Sequence, residues 1–411
     1  MNKGAPGWLG APSSCSCGCG RSGAACITPL RGSGPRRGTN QSCARKNDPM
    51  PLIPRLFLLA AAALLPAMAA YAQPRPSDCA PGAPCSKPLS VRVVIVTMFE
   101  IGADTGDAPG EFQLWKERRK LDTRIPFPQG YHDLYYNPDS RILAMVTGVG
   151  TARSGTGVMA LGLDPRFDLS KAYWLVAGIA GIDPQDASIG SAAWARYSVD
   201  GDLAHEIDAR EIPTGWKSGF FPLDKQGPDD KSPPITEGRV FALSPRLTDW
   251  AYALTRDIKL PDDPGIAKER ARYTGYPNAQ KPPFVLMGDQ LSAMTFWHGK
   301  LLTDWANDWV RYSTSGKGEF VTSAMEETGT LQAITYLDRI DKVDKGRVMV
   351  LRSGSNFSMP PPDVSAADYL LRENEGYAGM KASLESLYIV GSKVVDELIG
   401  HWDRYEKAPP E

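Results

Sequence analysis

The 411-residue chain lacks the residue patterns of several large enzyme classes. It has only four histidines, and no H-x-E or C-x-x-C pair suggests a zinc site. The G-x-S-x-G turn of serine hydrolases and the Walker sequence of phosphate-binding enzymes are also absent. We therefore expect no metal and no cofactor.

Cysteine is scarce outside the N-terminal region. Five of the seven cysteines lie in the first 49 residues, a tract rich in glycine, serine and arginine. The tract has no helix or strand period, so residues 1–49 are predicted to be disordered. Two interpretations stay open: translation begins at Met50, or the CSCGCG run binds a metal despite lacking paired C-x-x-C spacing.

Residues 50–72 are typical of an export signal. Arg55 precedes an apolar core at residues 56–65, and Ala70 and Ala72 form an A-x-A cleavage pattern. Cleavage near Ala72 would make the protein periplasmic or secreted. Residues 73–90 would then form an N-terminal tail in which Cys79 and Cys85 are expected to form a disulfide.

Long hydrophobic runs are missing from residues 73–411. The longest, residues 172–182, is about half of the ~20 residues that a membrane-spanning helix needs. This part of the chain holds 38 basic and 46 acidic residues, a net charge of −8. The predicted mature chain therefore has no membrane span, and its charge argues against a nucleic-acid partner.

Apolar strand-like segments alternate with helical patterns along residues 91–411. This alternation predicts one three-layer α/β domain, with a mixed central sheet flanked by helices. The predicted strands are residues 91–96, 141–146, 173–176, 192–199, 285–287, 320–322 and 347–351. The predicted helices are residues 151–161, 244–258, 301–310, 329–337 and 377–401.

Several of these apolar segments end in glycines, acids or amides. The motifs are VVIVTMFE (93–100), TGVGTARSG (147–155), VAGIAGID (176–183), SAMEE (323–327) and LRSGSNFS (351–358). Because the carboxyl ends of parallel strands meet at one edge of a sheet, the motifs predict a ligand site there.

In their order and spacing, these motifs resemble the purine nucleoside permease (NUP) family, and through it the nucleoside phosphorylase and nucleosidase superfamily. The resemblance extends over about residues 91–399. The matching positions are Glu100, Gly148 to Gly150, Gly178 to Gly181, Gly288 with Asp289, Met325 with Glu326, and Arg352 to Asn356. It implies purine nucleosides as ligands and a homo-oligomeric assembly.

The resemblance also implies roles for these residues. Glu326 would bind the ribose hydroxyls, with Met325 packed on the sugar. Glu100 would act catalytically near C1′, with Asp104 as the alternative. Asn356 stands where nucleosidases carry the aspartic acid that protonates the purine; an amide can only form hydrogen bonds there.

The base would lie against Asp289, Leu291, Phe296 and Asn356. His298 is a further histidine of interest near them. Gly148, Gly150, Arg153 and Gly178 would form a phosphate or water site, with phosphate as an optional co-substrate. The strand before GIAG lacks the arginine of some superfamily members, which leaves phosphorolysis in question.

Two functions stay open at this point. The chain is either an exported enzyme that cleaves purine nucleosides by phosphorolysis or hydrolysis, or a non-catalytic binding protein that serves nucleoside transport.

Overall fold

The computed structural model describes residues 87–373 and 376–410. The predicted disordered tract, the export signal and the Cys79–Cys85 pair lie outside these residues. Leu89–Ser90, at the end of the predicted N-terminal tail, form a short parallel strand pair with Phe167–Asp168.

The described residues form sixteen strands. They are β1 (Leu89–Ser90), β2 (Val93–Thr97), β3 (Thr123–Ile125), β4 (Leu134–Asn137), β5 (Ile142–Val146), β6 (Phe167–Asp168), β7 (Tyr173–Ile182), β8 (Ala192–Trp194), β9 (Tyr197–Asp200), β10 (Ala204–Glu206), β11 (Phe220–Pro222), β12 (Val240–Ala242), β13 (Val285–Met287), β14 (Asp289–Ser292), β15 (Phe320–Ala324) and β16 (Val348–Phe357).

The same residues form nine α-helices. They are α1 (Gln113–Arg118), α2 (Thr151–Gly162), α3 (Pro245–Thr255), α4 (Pro264–Arg270), α5 (Lys300–Ser313), α6 (Glu327–Asp338), α7 (Ala366–Glu373), α8 (Met380–Gly400) and α9 (Trp402–Tyr405), with a 3₁₀ turn at Lys345–Arg347.

Within the described residues, twelve strands form one mixed sheet. Its main path runs β12-β9-β14-β15-β7-β2-β5-β4-β3, and β16, β8 and β13 extend from the other edge of β7. The pairs of β2 with β5 and β7 are parallel, whereas β15 runs antiparallel to the end of β7. The carboxyl ends of β2 and β16 therefore meet β15 near the second half of β7.

The side chains of β2 show why the domain has three layers. Val93 and Ile95 pack into a core that includes residues of α1, α3 and α8. Val94 and Val96, which point to the opposite face, pack into a core with residues of α2 and α6. The predicted α/β architecture, a mixed sheet flanked by helices, is confirmed.

The structure extends or divides several predicted elements. The third and last predicted strands, which correspond to β7 and β16, each extend over ten residues, well beyond the predicted apolar segments. The predicted strand at 192–199 is two strands, β8 and β9. Residues 261–265, which resemble a turn, lead into α4, because Asp263 accepts hydrogen bonds from the amides of Gly265 and Ile266.

None of the helices among residues 87–373 and 376–410 combines the length and the apolar character needed to cross a bilayer.

Candidate functional site

A buried arginine organises the edge where the strands end. Arg352 lies on β16 opposite Gly178 of β7. Its guanidinium hydrogen-bonds to Glu327 and lies 2.9 Å from Glu326 Oε2 and 3.9 Å from Glu111 Oε1. All four side chains are at most 5% exposed, so one cation is shared by three carboxyl groups that are out of water.

Gly178 makes room for this arginine. A Cβ at position 178 would lie 2.3 Å from Arg352 Nη1, far inside van der Waals contact. Arg352 Nη1 also donates a 2.7 Å hydrogen bond to the carbonyl of Ile179. The predicted GIAG motif thus serves the packing of Arg352 against β7.

Glu326 joins the end of β15 to the glycine turn before α2. Its Oε1 accepts a 3.0 Å hydrogen bond from the Gly150 amide, and its Oε2 accepts from Arg352 at 2.9 Å and from the Met325 amide at 3.3 Å. Burial raises the pKa of Glu326, and Arg352 opposes this shift. The structure thus brings together Gly150, Met325 and Glu326.

Glu111 is a member of this site that the sequence analysis missed. Its carboxyl accepts hydrogen bonds from the amides of Met98 at 2.8 Å and Ile179 at 2.7 Å, so it bridges the end of β2 and the second half of β7. Burial raises the pKa of Glu111 to about 8, with Arg352 opposing and Glu326 adding to the shift.

Glu100 precedes Glu111 by eleven residues and makes different contacts. Its carboxylate accepts hydrogen bonds from the amides of Ile101, Gly110, Phe112 and Gln113. Burial raises the pKa of Glu100, and these four bonds oppose the shift. The contacts close the 101–113 loop and cap α1, and they account for Glu100 as the anchor of the loop that carries Glu111. Its catalytic role stays a prediction.

Asp104, the alternative to Glu100, lies in the same loop. It lines a cavity that Glu100 and Arg352 do not line. It accepts hydrogen bonds from Tyr135 at 2.5 Å and pairs with His132 at 2.8 Å. These residues and Tyr131 line a cavity of about 640 Å³.

The glycine turn before α2 has the left-handed backbone that the GVG motif suggests. Gly148 has φ +79° and Gly150 has φ +98°, conformations that favour glycine. Arg153 is exposed, and its guanidinium lies 5.8 Å from the ring centre of Tyr131. The Gly150 amide, at the start of α2, donates a hydrogen bond to the Glu326 carboxyl group. This backbone donor is therefore already occupied.

Asn356 lies after a β-bulge between Gly354 and Asn356 on β16. Its Oδ1 accepts from Ser355 Oγ at 2.9 Å, and its Nδ2 donates to Glu373 Oε2 at 3.3 Å. A Cβ at Gly181 would lie 3.8 Å from Asn356 Nδ2 and 2.7 Å from Ser323 Oγ. Asn356 is therefore adjacent to the strand end that leads to Met325.

The three other predicted base-binding residues are not brought together. Asp289 lies at the amino end of β14, where it accepts from the amides of Arg196, Tyr197 and Glu319. Leu291 is fully buried in the core with Trp305. Phe296 is 43% exposed, and its ring lies nearly parallel to that of Tyr377 at 6.3 Å. Of the three, only Phe296 presents a surface to a base.

His298, two residues after Phe296, is buried. Its ring stacks on Tyr369 of α7 at 5.3 Å, and burial lowers the pKa of His298 to about 4, which makes it neutral. A hydrogen bond with the backbone of Phe357 opposes this shift.

Known proteins share this sequence pattern. Residues 90–410 match the family described as Purine nucleoside permease (NUP). A purine nucleoside permease of Candida albicans (strain SC5314) is 33% identical over 331 residues, which cover 77% of this chain and 78% of the relative. A probable purine nucleoside permease of Schizosaccharomyces pombe is 29% identical over 319 residues, which cover 76% of this chain and 90% of the relative.

Solved structures with a similar fold include two from Helicobacter pylori. Futalosine hydrolase has a TM-score of 0.44 at 17% identity, covering 75% of this chain and 98% of its own. A 5′-methylthioadenosine/S-adenosylhomocysteine nucleosidase has a TM-score of 0.44 at 17% identity, covering 75% and 99%.

Proposed function

This chain belongs to the purine nucleoside permease family, and we propose that it binds purine nucleosides and cleaves their N-glycosidic bond with water. The observation that carries the proposal is the buried group of Arg352, Glu326, Glu327 and Glu111 at the strand ends. Three carboxyl groups around one cation are costly to bury, and a site that stabilises positive charge on a sugar gives them a use.

Glu326 is suited to hold the ribose. Its Oε1 accepts one hydrogen bond within the protein, so a lone pair remains for a sugar hydroxyl. Arg352 and the Met325 amide fix Oε2, which keeps the carboxylate in one orientation. Fixed acceptors of this kind position the sugar without reorganisation during the reaction.

Glu111 is suited to take the proton of the attacking water. In the proposed step the C1′–N9 bond breaks and its electron pair stays on N9, while the water oxygen bonds to C1′ and a water proton passes to ionised Glu111. Burial raises the pKa of Glu111 to about 8, which makes its carboxylate a stronger base than an ordinary glutamate.

Water is favoured over phosphate by the charges at the site. Arg352 is already surrounded by carboxyl groups, and these would repel a phosphate dianion. The Gly150 amide binds Glu326, and Arg153 is exposed beside Tyr131. Phosphorolysis would therefore depend on Arg153 and the remaining amides of the glycine turn.

The test is chromatography of inosine, guanosine and adenosine after incubation with the protein, with and without phosphate. We expect free base in both cases. The variant Glu111→Gln should lose about 10²-fold or more in turnover and keep inosine binding. Glu117→Gln, an exposed glutamate on α1, is the matched control. Base release only with phosphate would contradict hydrolysis.

The names of the relatives favour a second candidate, a non-catalytic nucleoside-binding protein that serves transport. Measurable inosine binding with no free base under either condition would favour it over the enzyme. Export after cleavage near Ala72 and homo-oligomeric assembly are further proposals. Mass spectrometry of the mature N-terminus and light scattering of the purified protein test them.

A further inference from the structure

A partly buried carboxyl group contacts Asn356, which follows Arg352 by four residues on β16. Glu373, the last residue of α7, accepts a hydrogen bond from Asn356 Nδ2 through its Oε2 at 3.3 Å. Its other oxygen, Oε1, is out of contact with solvent and has no hydrogen-bond partner among residues 87–373 and 376–410. A buried carboxyl oxygen without a partner is costly, and a ligand would remove that cost.

The surroundings of Glu373 favour its neutral form. Burial raises the pKa of Glu373 to about 8; Asn356 and Arg372 oppose the shift, and Glu269 of α4 adds to it. The tyrosines Tyr273, Tyr369 and Tyr377 also interact with its charge. Because Oε2 accepts from Asn356, the acidic hydrogen belongs on Oε1, the oxygen without a protein partner.

Aromatic side chains flank this carboxyl group. Tyr377 interacts with Glu373, and its ring lies nearly parallel to that of Phe296. His298 stacks on Tyr369, one turn before Glu373. Flat aromatic surfaces beside the unpaired Oε1 of Glu373 fit a heterocyclic base.

We propose that Glu373 is a catalytic acid that donates a proton to N7 of the departing purine, the step that Asn356 cannot perform. This inference rests on the proposed cleavage of purine nucleosides. As the C1′–N9 bond breaks, its electron pair moves into the base, and the proton of Glu373 Oε1 forms a bond to N7. The base leaves neutral, and the Glu373 carboxylate is reprotonated from solvent.

The position of Asn356 explains why the acid comes from a helix. The side-chain amide of Asn356 accepts a hydrogen bond from Ser355 and donates to Phe357 and Glu373. An amide also has no acidic proton to donate at neutral pH. Asn356 is a positioning residue for the acid: its Nδ2 holds Oε2 and leaves Oε1 for the base.

The test compares guanosine with 7-methylguanosine, whose N7 already carries a methyl group and a positive charge. Glu373→Gln should lower kcat/KM for guanosine by about 10²- to 10⁴-fold and leave that for 7-methylguanosine within a few-fold of the wild type. The matched control is Asp368→Asn, an exposed acid on the same helix, which should change neither rate.

The pH dependence gives a second readout. The wild-type rate with guanosine should follow a bell-shaped pH profile: it rises as the base Glu111 ionises and falls as the acid Glu373 loses its proton, both near pH 8. This fall should be absent with 7-methylguanosine. Equal losses for the two nucleosides, or no loss for either, would overturn the role of Glu373 alone. A wild type that cleaves neither nucleoside would overturn the proposed function and this inference with it.

Discussion

Replacing Arg352 with glutamine tests whether the buried carboxyl groups depend on this cation. Arg352 hydrogen-bonds to Glu326 and Glu327 directly and lies 3.9 Å from Glu111, and no more than 5% of any of these side chains is exposed. Removing one partner of a buried ion pair costs about 3–5 kcal/mol. With two direct partners and a third nearby, we expect the upper part of this range at pH 8.

The loss should depend on pH in a defined direction. Arg352 lowers the pKa of Glu326 and Glu111, so removing it raises both values further above that of the unfolded chain. An acid whose pKa is raised on folding stabilises the fold below its unfolded pKa, and this contribution is lost as pH rises. The deficit of the variant should therefore be smaller at pH 5.5 than at pH 8, by about 1 kcal/mol or more.

Urea unfolding at both pH values measures this deficit as a change in midpoint at constant slope. Arg347→Gln is the control, because Arg347 is equally buried but donates to the backbone carbonyls of Tyr405 and Glu406, besides pairing with Asp344. A deficit below about 1 kcal/mol, or one equal at pH 5.5 and pH 8, would refute the idea that Arg352 compensates buried negative charge.

Three further substitutions separate packing from chemistry. Glu100→Gln should cost about 1–3 kcal/mol in urea unfolding, because its new amide faces backbone donors; a fall in kcat at unchanged stability would contradict the anchoring role. Gly178→Ala should cost about 1–3 kcal/mol by clashing with Arg352, whereas Gly400→Ala, with no atom nearby, should not. Arg153→Ala should leave phosphate-free inosine cleavage unchanged in the chromatographic assay; a loss would give Arg153 a role in hydrolysis.

Much of the fold could be predicted because its core strands and helices follow simple hydrophobic patterns. The strands β2 and β5 are short, fully buried apolar runs, and α8 has apolar residues at helical spacing. The second halves of β7 and β16 could not be predicted. Their glycines, serines and Asn356 are polar or small, and they belong to strands because the second halves of β7 and β16 pair with each other.

The candidate site was predicted where a strand end places the residue directly. Glu326 follows β15 and Gly150 follows β5, and the two residues meet although β15 runs antiparallel to β7. The same rule misplaces Asp289, which stands at the amino end of its strand. Glu111 follows β2 by a long loop, and nothing in the local sequence distinguishes it from the other acids of that loop.

Neither Glu111 nor Glu373 belongs to the central sheet. The loop anchored by Glu100 carries Glu111, and the end of α7 carries Glu373. The sheet instead supplies the groups that hold them, Arg352 and Asn356, four residues apart on β16. One strand thus positions two carboxyl groups, one near the proposed sugar site and one near the proposed base site. Because the proposed cleavage needs attack at C1′ and protonation of the base, this spacing on β16 fits the two ends of the bond that would break.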